Sequence, residues 1–304
     1  MMSLLLEILQ ALGIAMVMLI GPFIAATLLL WRKRMVRKQR KSPLTENLLR
    51  PPGHRLLLQI EAVRDEIDEH MMRLMFIPTV FTAFYFSRLF FDRLNSVRMG
   101  LAVVVAIAVV GVIIQSTLKM LKVAKKLDGL KAGYDAEMAV GQELDQLMRK
   151  GAWVFHDVEA EGFNIDHVVV ASQGVFAVET KGYTKPTEGD GKTNARVTFD
   201  GQRLSFPHFV TSRPVEQAER QARWLAEWLT KATGATAKVL PVVALPGWYV
   251  ERKGAGTVQV LSGKELQAHL LANRRAQPVP DQHLQQIAYQ LEQRCRNIEP
   301  KYAE

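Results

Sequence analysis

Three stretches of the 304-residue chain are apolar without the polar interruptions of a soluble element. Residues 11–31 carry no charged side chain, and Met99 to Leu118 is uncharged and dominated by Val and Ile. As helices, both are long enough to cross a ~30 Å hydrocarbon core. Between them, residues 74–91 are aromatic and apolar but contain Pro78 and, near the far end, Arg88, whose long stem can snorkel to an interface. Residues 74–91 are read as a third span; a two-span chain with this segment on the membrane surface is the alternative. His54 to Arg73 has helical periodicity, with Leu56, Leu57, Ile60, Val63 and Ile67 on one side. It follows the breakers Pro43, Pro51, Pro52 and Gly53 and reads as a connector helix, an amphipathic stem running into the membrane, with packing on the later domain or on a second copy as the alternative.

After residue 126 the pattern becomes that of an α/β domain. Val168-Val169-Val170 and Val175-Phe176-Ala177-Val178 flank Ser172-Gln173-Gly174, which predicts a β-hairpin buried on both faces. Met138, Val140, Leu144 and Leu147 give a helix between Tyr134 and Met148. Pro214 to Thr230 is a second helix, with Ala218, Ala222, Leu225 and Leu229 as its apolar stripe and Gly234 beyond its end. Lys238 to Ala244 and Val258 to Leu261 read as short strands, Ser262-Gly263-Lys264-Glu265 as a capping box opening a helix through Leu271, and 282–294 as a last amphipathic helix. Strands alternating with helices after a hairpin predict a mixed central sheet with helices on both faces. Residues 185–209 read as a loop or flap with weak strand character at 195–199. Its Lys185, Lys192, Arg196 and Arg203 could touch phosphates, although dispersed basic residues on a loop are more often only solvated. The division expected is a transmembrane region over 1–126, with connector 32–73, and an α/β domain over 127–304.

Charge sharpens this division. The net charge is +9, but residues 1–132 hold 19 Lys and Arg against 9 Asp and Glu, whereas 133–304 hold 20 against 21. The high isoelectric point therefore reflects the membrane-flanking segments, which can also attract anionic headgroups. It gives no general support to nucleic-acid binding by the later domain. Seven basic residues between Arg32 and Lys41 and four between Lys119 and Lys126 follow the first and last spans, while Asp92 to Arg98 holds only two. The positive-inside rule then puts the N-terminus outside and everything after Lys119 in the cytoplasm, at a plasma (inner) membrane. Three spans satisfy this; two would put the basic clusters on opposite sides. No basic residue precedes the first apolar run, which disfavours a cleaved signal peptide. A lone Cys295 excludes an intrachain disulfide and fits a reducing compartment.

The chemistry concentrates at one end of the hairpin. A two-residue loop at Ser172-Gln173 pairs Ala171 with Gly174 and sets Asp166 across from Glu179, with Cβ atoms ~5 Å apart. Lys181 lies on the same face as Glu179. A three-residue loop would turn Asp166 to the other face. On an arbitrary hairpin such a trio is usually a solvated, salt-bridged surface. At the end of a doubly buried hairpin it suits a hard divalent cation, with an ammonium beside the polarised water.

These residues also carry a resemblance. Gly133-Tyr134-Asp135-Ala136-Glu137, Asn164-Ile165-Asp166-His167, Gly174 through Lys181 and Pro214-Val215-Glu216-Gln217-Ala218 resemble the nuclease-related domain (NERD) of the restriction-endonuclease-like PD-(D/E)XK superfamily, over roughly residues 133–245. The resemblance implies a metal-dependent phosphodiesterase. Glu137, Asp166 and Glu179 would hold Mg²⁺ or Mn²⁺ or orient its waters, Lys181 would position or activate the attacking water, and Gln217 would be an accessory polar residue. Ala136 departs from the Gly usual before the helix Glu, a change expected to be harmless because Ala favours helix. The function expected is a membrane-anchored nuclease facing the cytoplasm, with DNA the expected substrate although the residues themselves do not distinguish it from RNA. The competing expectations are a catalytically inactive, membrane-tethered module that binds nucleic acid or protein, and a membrane scaffold whose later domain mediates assembly.

Overall fold

The computed structural model describes residues 24, 27, 28, 31, 32, 35, 44–91, 96–185, 195–273 and 275–300. Most of the first apolar stretch and Lys192 of the flap lie outside the described residues. So do the side chains of 81–91, the far end of the middle stretch. Among the described residues, Ala62–Leu127 falls in one compact unit, and Glu46–Glu61 with Asp128–Glu299 forms another.

Helix α1 (His54–Phe91), whose residues 54–61 belong to the second unit and the rest to the first, runs without interruption through Pro78, so the expected connector helix and middle apolar segment are one element. Helix α2 (Ser96–Asp145) follows. Among the described residues, one stretch of helix, within Ala106–Lys150, is long and apolar enough to cross a membrane. Along α2, Val103, Ile107, Val110, Ile114, Leu118 and Leu121 recur at helical spacing, each more than half exposed.

The second unit is built on a five-stranded sheet ordered β10-β8-β4-β3-β2. Its strands are β2 (Trp153–Glu159), β3 (Asn164–Ala171), β4 (Gly174–Thr180), β8 (Val239–Leu245) and β10 (Gln259–Ser262). β2, β3 and β4 are antiparallel neighbours, whereas β8 runs parallel to both β4 and β10. The sheet is therefore mixed, as the alternation of elements predicts. Ala171 pairs with Gly174 across the Ser172-Gln173 turn, and His167 pairs with Val178. The two-residue loop is the one the chain adopts.

Both sheet faces are covered. Val168, Val170, Val175 and Ala177 pack against α3 (Arg213–Thr233) and α5 (Asp281–Cys295) through Leu225, Leu229, Ile287 and Leu291. Each such Val, Leu or Ile side chain contributes about 1.5–3 kcal/mol by leaving water. The alternate positions Val169, Phe176 and Val178 meet Val140 and Leu144 of α2, Leu147 of a 3-10 turn (Gln146–Lys150), and α4 (Leu266–Leu271). The capping box over Ser262–Glu265 is present and opens a short 3-10 turn into α4. A second sheet, ordered β7-β6-β5-β9, comprises β5 (Arg196–Phe199), β6 (Leu204–Ser205), β7 (Val210–Thr211) and β9 (Tyr249–Arg252). It packs on Val243, Leu245, Val215 and Ala218 through Val197, Phe199 and Leu204.

Residues 46–61 belong to this unit, so its boundary differs from a single cut at residue 127. β1 (Leu48–Leu49) pairs with β11 (Arg296–Ile298), and Arg50 forms an ion pair of 2.6 Å with Glu159. Gly53 adopts φ +70°, and a Cβ there would lie 2.8 Å from the Tyr134 ring. Only glycine fits that turn without strain.

Candidate active site

The sheet ends where β4 runs out, and the charged residues gather at that end. Continuing the β3–β4 register one step past His167–Val178 sets Asp166 across from Glu179. Asp166 Oδ2 accepts the Thr180 backbone N–H at 2.7 Å. Glu179 is 1% exposed; its Oε1 accepts from Lys181 Nζ at 2.5 Å and its Oε2 from Gln221 Nε2 at 2.6 Å. The strand's period of two turns Glu179 and Lys181 to the α3 face, which is why a glutamine of α3 reaches them.

Glu137 arrives from the other side. A Cβ at Gly182 would lie 2.6 Å from the Ala132 carbonyl oxygen and 2.7 Å from the Ala136 Cβ. The absent side chain after Lys181 lets α2 lie against the end of β4 and brings Glu137 beside the hairpin carboxylates. Ala136 thus has room for its methyl because its neighbour across the contact is glycine.

The electrostatics follow from crowding. Burial pushes the Glu137 carboxyl up to about 8, and the Asp157 and Glu179 carboxylates add to the shift. Burial likewise holds Asp166 well above the carboxylate range, helped by Glu179 and Glu137. Burial opposes the Lys181 ammonium, but its pairing with Glu179 and the nearby Asp166 keep its pKa above the ordinary lysine value. Lys181 is therefore a cation at neutral pH and no general base. Three carboxylates face one ammonium, and their mutual repulsion adds to burial in raising Glu137 and Asp166.

The opposite face of the same strand end carries a hydrogen-bond chain. Asp145 Oδ1 meets His156 Nε2 at 2.9 Å, His156 Nδ1 meets His167 Nδ1 at 2.9 Å, and His167 Nε2 meets Thr180 Oγ1 at 3.2 Å. Burial, with His156 beside it, lowers the His167 pKa well below the usual histidine value, so its ring is neutral. Thr180 joins the two faces, its N–H held by Asp166 and its hydroxyl by His167.

Asp157 forms the wall beside Glu137. It is fully buried at φ +49°, a left-handed conformation that Asp tolerates better than most residues. Its carboxylate accepts the Arg55 backbone N–H at 2.7 Å and the Asn164 side-chain amide at 2.6 Å. The Arg55 guanidinium in turn donates to Asn164 Oδ1 at 2.7 Å.

Of the residues expected at the site, Glu137, Asp166, Glu179 and Lys181 come together. Gln217 is half-buried and makes no side-chain hydrogen bond among the described residues. Gln221, one turn later, is the glutamine at the site, bonding Glu179 and, at 2.9 Å, the Asn164 carbonyl. Its Oε1 is buried without a partner among the described residues. The signal for Gln221 was its place three residues after Ala218, inside the apolar stripe, where a polar residue needs a partner. Trp153 to Glu159, which carries His156 and Asp157, has the aromatic and β-branched content of a strand, but two adjacent polar residues interrupt its pattern in the sequence.

Among the described residues, no three His, Cys, Asp or Glu side chains close into a metal cage as they stand. The donor set nevertheless has the character of a hard-cation site: buried carboxylate oxygens in excess of their counter-charge, beside the orphaned acceptor of Gln221.

Residues 132–246 match the family model of the nuclease-related domain, NERD. No curated protein and no solved structure matches the chain.

Proposed function

We propose that residues 46–61 and 128–299 form a nuclease that hydrolyses phosphodiester bonds in nucleic acid, DNA before RNA, with a divalent cation among Asp166, Glu179 and Glu137. The observation that carries this reading is the burial of three mutually repelling carboxylates around one lysine, in the segment that matches a nuclease-related domain. A bound Mg²⁺ or Mn²⁺ would supply Lewis-acid polarisation of a phosphoryl oxygen and a more acidic water. Asp166, Glu179 and Glu137 would hold the cation, whose charge would offset the repulsion among the three carboxylates. The Lys181 ammonium favours hydroxide over water at the attack position and offsets charge growing on the phosphate. Gln221 fixes the Glu179 carboxylate, and its free Oε1 can accept from a water in the site. Thr180 holds Asp166 in place.

The apolar, exposed stripe of α2 supports a membrane-tethered chain. We assign spans to residues 11–31, 74–91 and 99–118, with the basic flanks and the nuclease unit on the cytoplasmic side.

Full-length protein purified in detergent and incubated with plasmid DNA and RNA tests the reading. Cleavage in Mg²⁺ or Mn²⁺, abolished by EDTA and by Asp166→Ala or Lys181→Ala, is expected. Both Glu179 oxygens already have partners, which favours a non-cleaving nucleic-acid-binding module as the second reading. Metal-independent binding without cleavage would assign that role instead.

A further inference from the structure

Beyond Lys181 an aromatic ladder leads away from the carboxylates, and core packing does not account for its outer rung. Tyr183, two residues after Lys181, lies within electrostatic reach of Lys181, Glu179 and Arg213. Its ring is 4.9 Å from Phe206 and 5.2 Å from Phe209, and the Trp248 indole donates to its carbonyl at 3.1 Å. Phe206 and Trp248 are buried and fill the space under the second sheet. Phe209 does not: it is 41% exposed in the turn between β6 and β7, pinned there by the Phe206 N–H donating to its carbonyl at 2.8 Å. Phe206 stacks on one face of the Phe209 ring, with centroids 4.6 Å apart and planes within 15°. The outer ring is thus held flat by a rigid buried one and still meets solvent. Charged groups flank this ladder: Arg213 at the start of α3 and Lys181, paired with Glu179, act on Tyr183, and Lys185 Nζ lies beside Gly247 next to Trp248.

An exposed, pre-oriented ring among lysine and arginine side chains is the pattern that receives a nucleobase on the ring and phosphates on the cations. Inside a base-paired duplex the bases stack on one another, so away from duplex ends only an unpaired nucleotide can offer its face.

We propose that Phe209, backed by Phe206 and Tyr183, is a stacking platform for an unpaired base flanking the phosphate presented to Asp166, Glu179 and Lys181, so that the preferred substrate is single-stranded at that point. The proposal rests on the nuclease reading for what lies beside the platform, but not for the platform itself.

The test is fluorescence anisotropy of full-length protein in detergent and EDTA, with a labelled single-stranded oligonucleotide and a blunt duplex of the same sequence. Phe209→Ala is compared with Phe209→Trp, which keeps a larger ring. Alanine is expected to weaken single-strand binding by roughly 5- to 150-fold, the range of one base–aromatic stack, while duplex binding changes less than about twofold. Tryptophan is expected to restore single-strand binding, and a 2-aminopurine in the oligonucleotide to be quenched by wild type and not by Phe209→Ala. Equal losses on both substrates, no loss on either, no binding by wild type, or a change of oligomeric state in Phe209→Ala overturns the platform. Selective binding without metal-dependent cleavage keeps the platform and removes the nuclease reading. Cleavage by wild type with Phe209→Ala unimpaired on single strands does the reverse.

Discussion

Replacing Glu137 by Gln should stabilise the metal-free protein at neutral pH. The Glu137 carboxyl is raised from 4.5 to about 8, chiefly by burial and then by Asp157 and Glu179. In the unfolded chain it ionises near its ordinary value; in the folded chain it keeps its proton to the raised one. Between the two values the unfolded state binds fewer protons, so stability is fully present below about 4.5, falls as pH rises, and is lost through about 8. At about 1.4 kcal/mol per pH unit, the loss by pH 7 is on the order of 3 kcal/mol. Glutamine has the shape of the protonated acid and does not titrate. Glu137→Gln should therefore match wild type near pH 4.5 and exceed it by about 3 kcal/mol at pH 7. Urea unfolding in EDTA, followed by the fluorescence of Trp153, Trp224, Trp228 and Trp248, reads this directly. With a slope of about 1–3 kcal/mol per molar, the midpoint moves up by about 1–3 M. Adding Mn²⁺ should stabilise wild type and leave the variant nearly unchanged. A variant that is less stable than wild type at pH 7, or a difference that does not grow between pH 5 and 7, would refute the reasoning.

Other substitutions probe the shell around this site. Gln221→Ala should weaken divalent-cation binding about 10- to 100-fold by freeing Glu179, whereas Gln217→Ala changes it less than twofold; calorimetric titration with Mn²⁺ separates the two. Gly182→Ala forces a methyl against Ala132 and Ala136 and should cost about 1–3 kcal/mol of unfolding free energy, with cleavage reduced because Glu137 is displaced. His156→Ala leaves the buried His167 nitrogen without its partner and should cost about 1–3 kcal/mol by the same urea assay. His156→Gln, which keeps a hydrogen-bonding group, should recover part of that loss.

The parts of this unit that are legible in sequence are those whose determinants are local. The hairpin register follows from Ser172-Gln173 and the valine runs around it, and it alone opposes Asp166 and Glu179. The capping box and the stripe of α3 are likewise written within a few residues. What is not legible depends on partners far along the chain. Arg50 and Arg55 reach residues 157–164 and Asn297 through contacts that span more than a hundred positions. No local pattern marks residues 46–61 as part of this unit. Asp157 escapes notice for a related reason, since its use as a buried acceptor for Arg55 and Asn164 exists only after folding. Gln217 and Gln221 differ by one helical turn, and only the position of α3 over β4 selects between them.

The central claim is that a hard cation sits among Asp166, Glu179 and Glu137. Anomalous scattering from crystals grown with Mn²⁺ tests it most directly. A single strong peak about 2.0–2.3 Å from carboxylate oxygens of Asp166 and Glu179, absent in Asp166→Asn crystals, is the result predicted. Full Mn²⁺ occupancy elsewhere, with the Lys181–Glu179 pair intact and no density between the carboxylates, would contradict it.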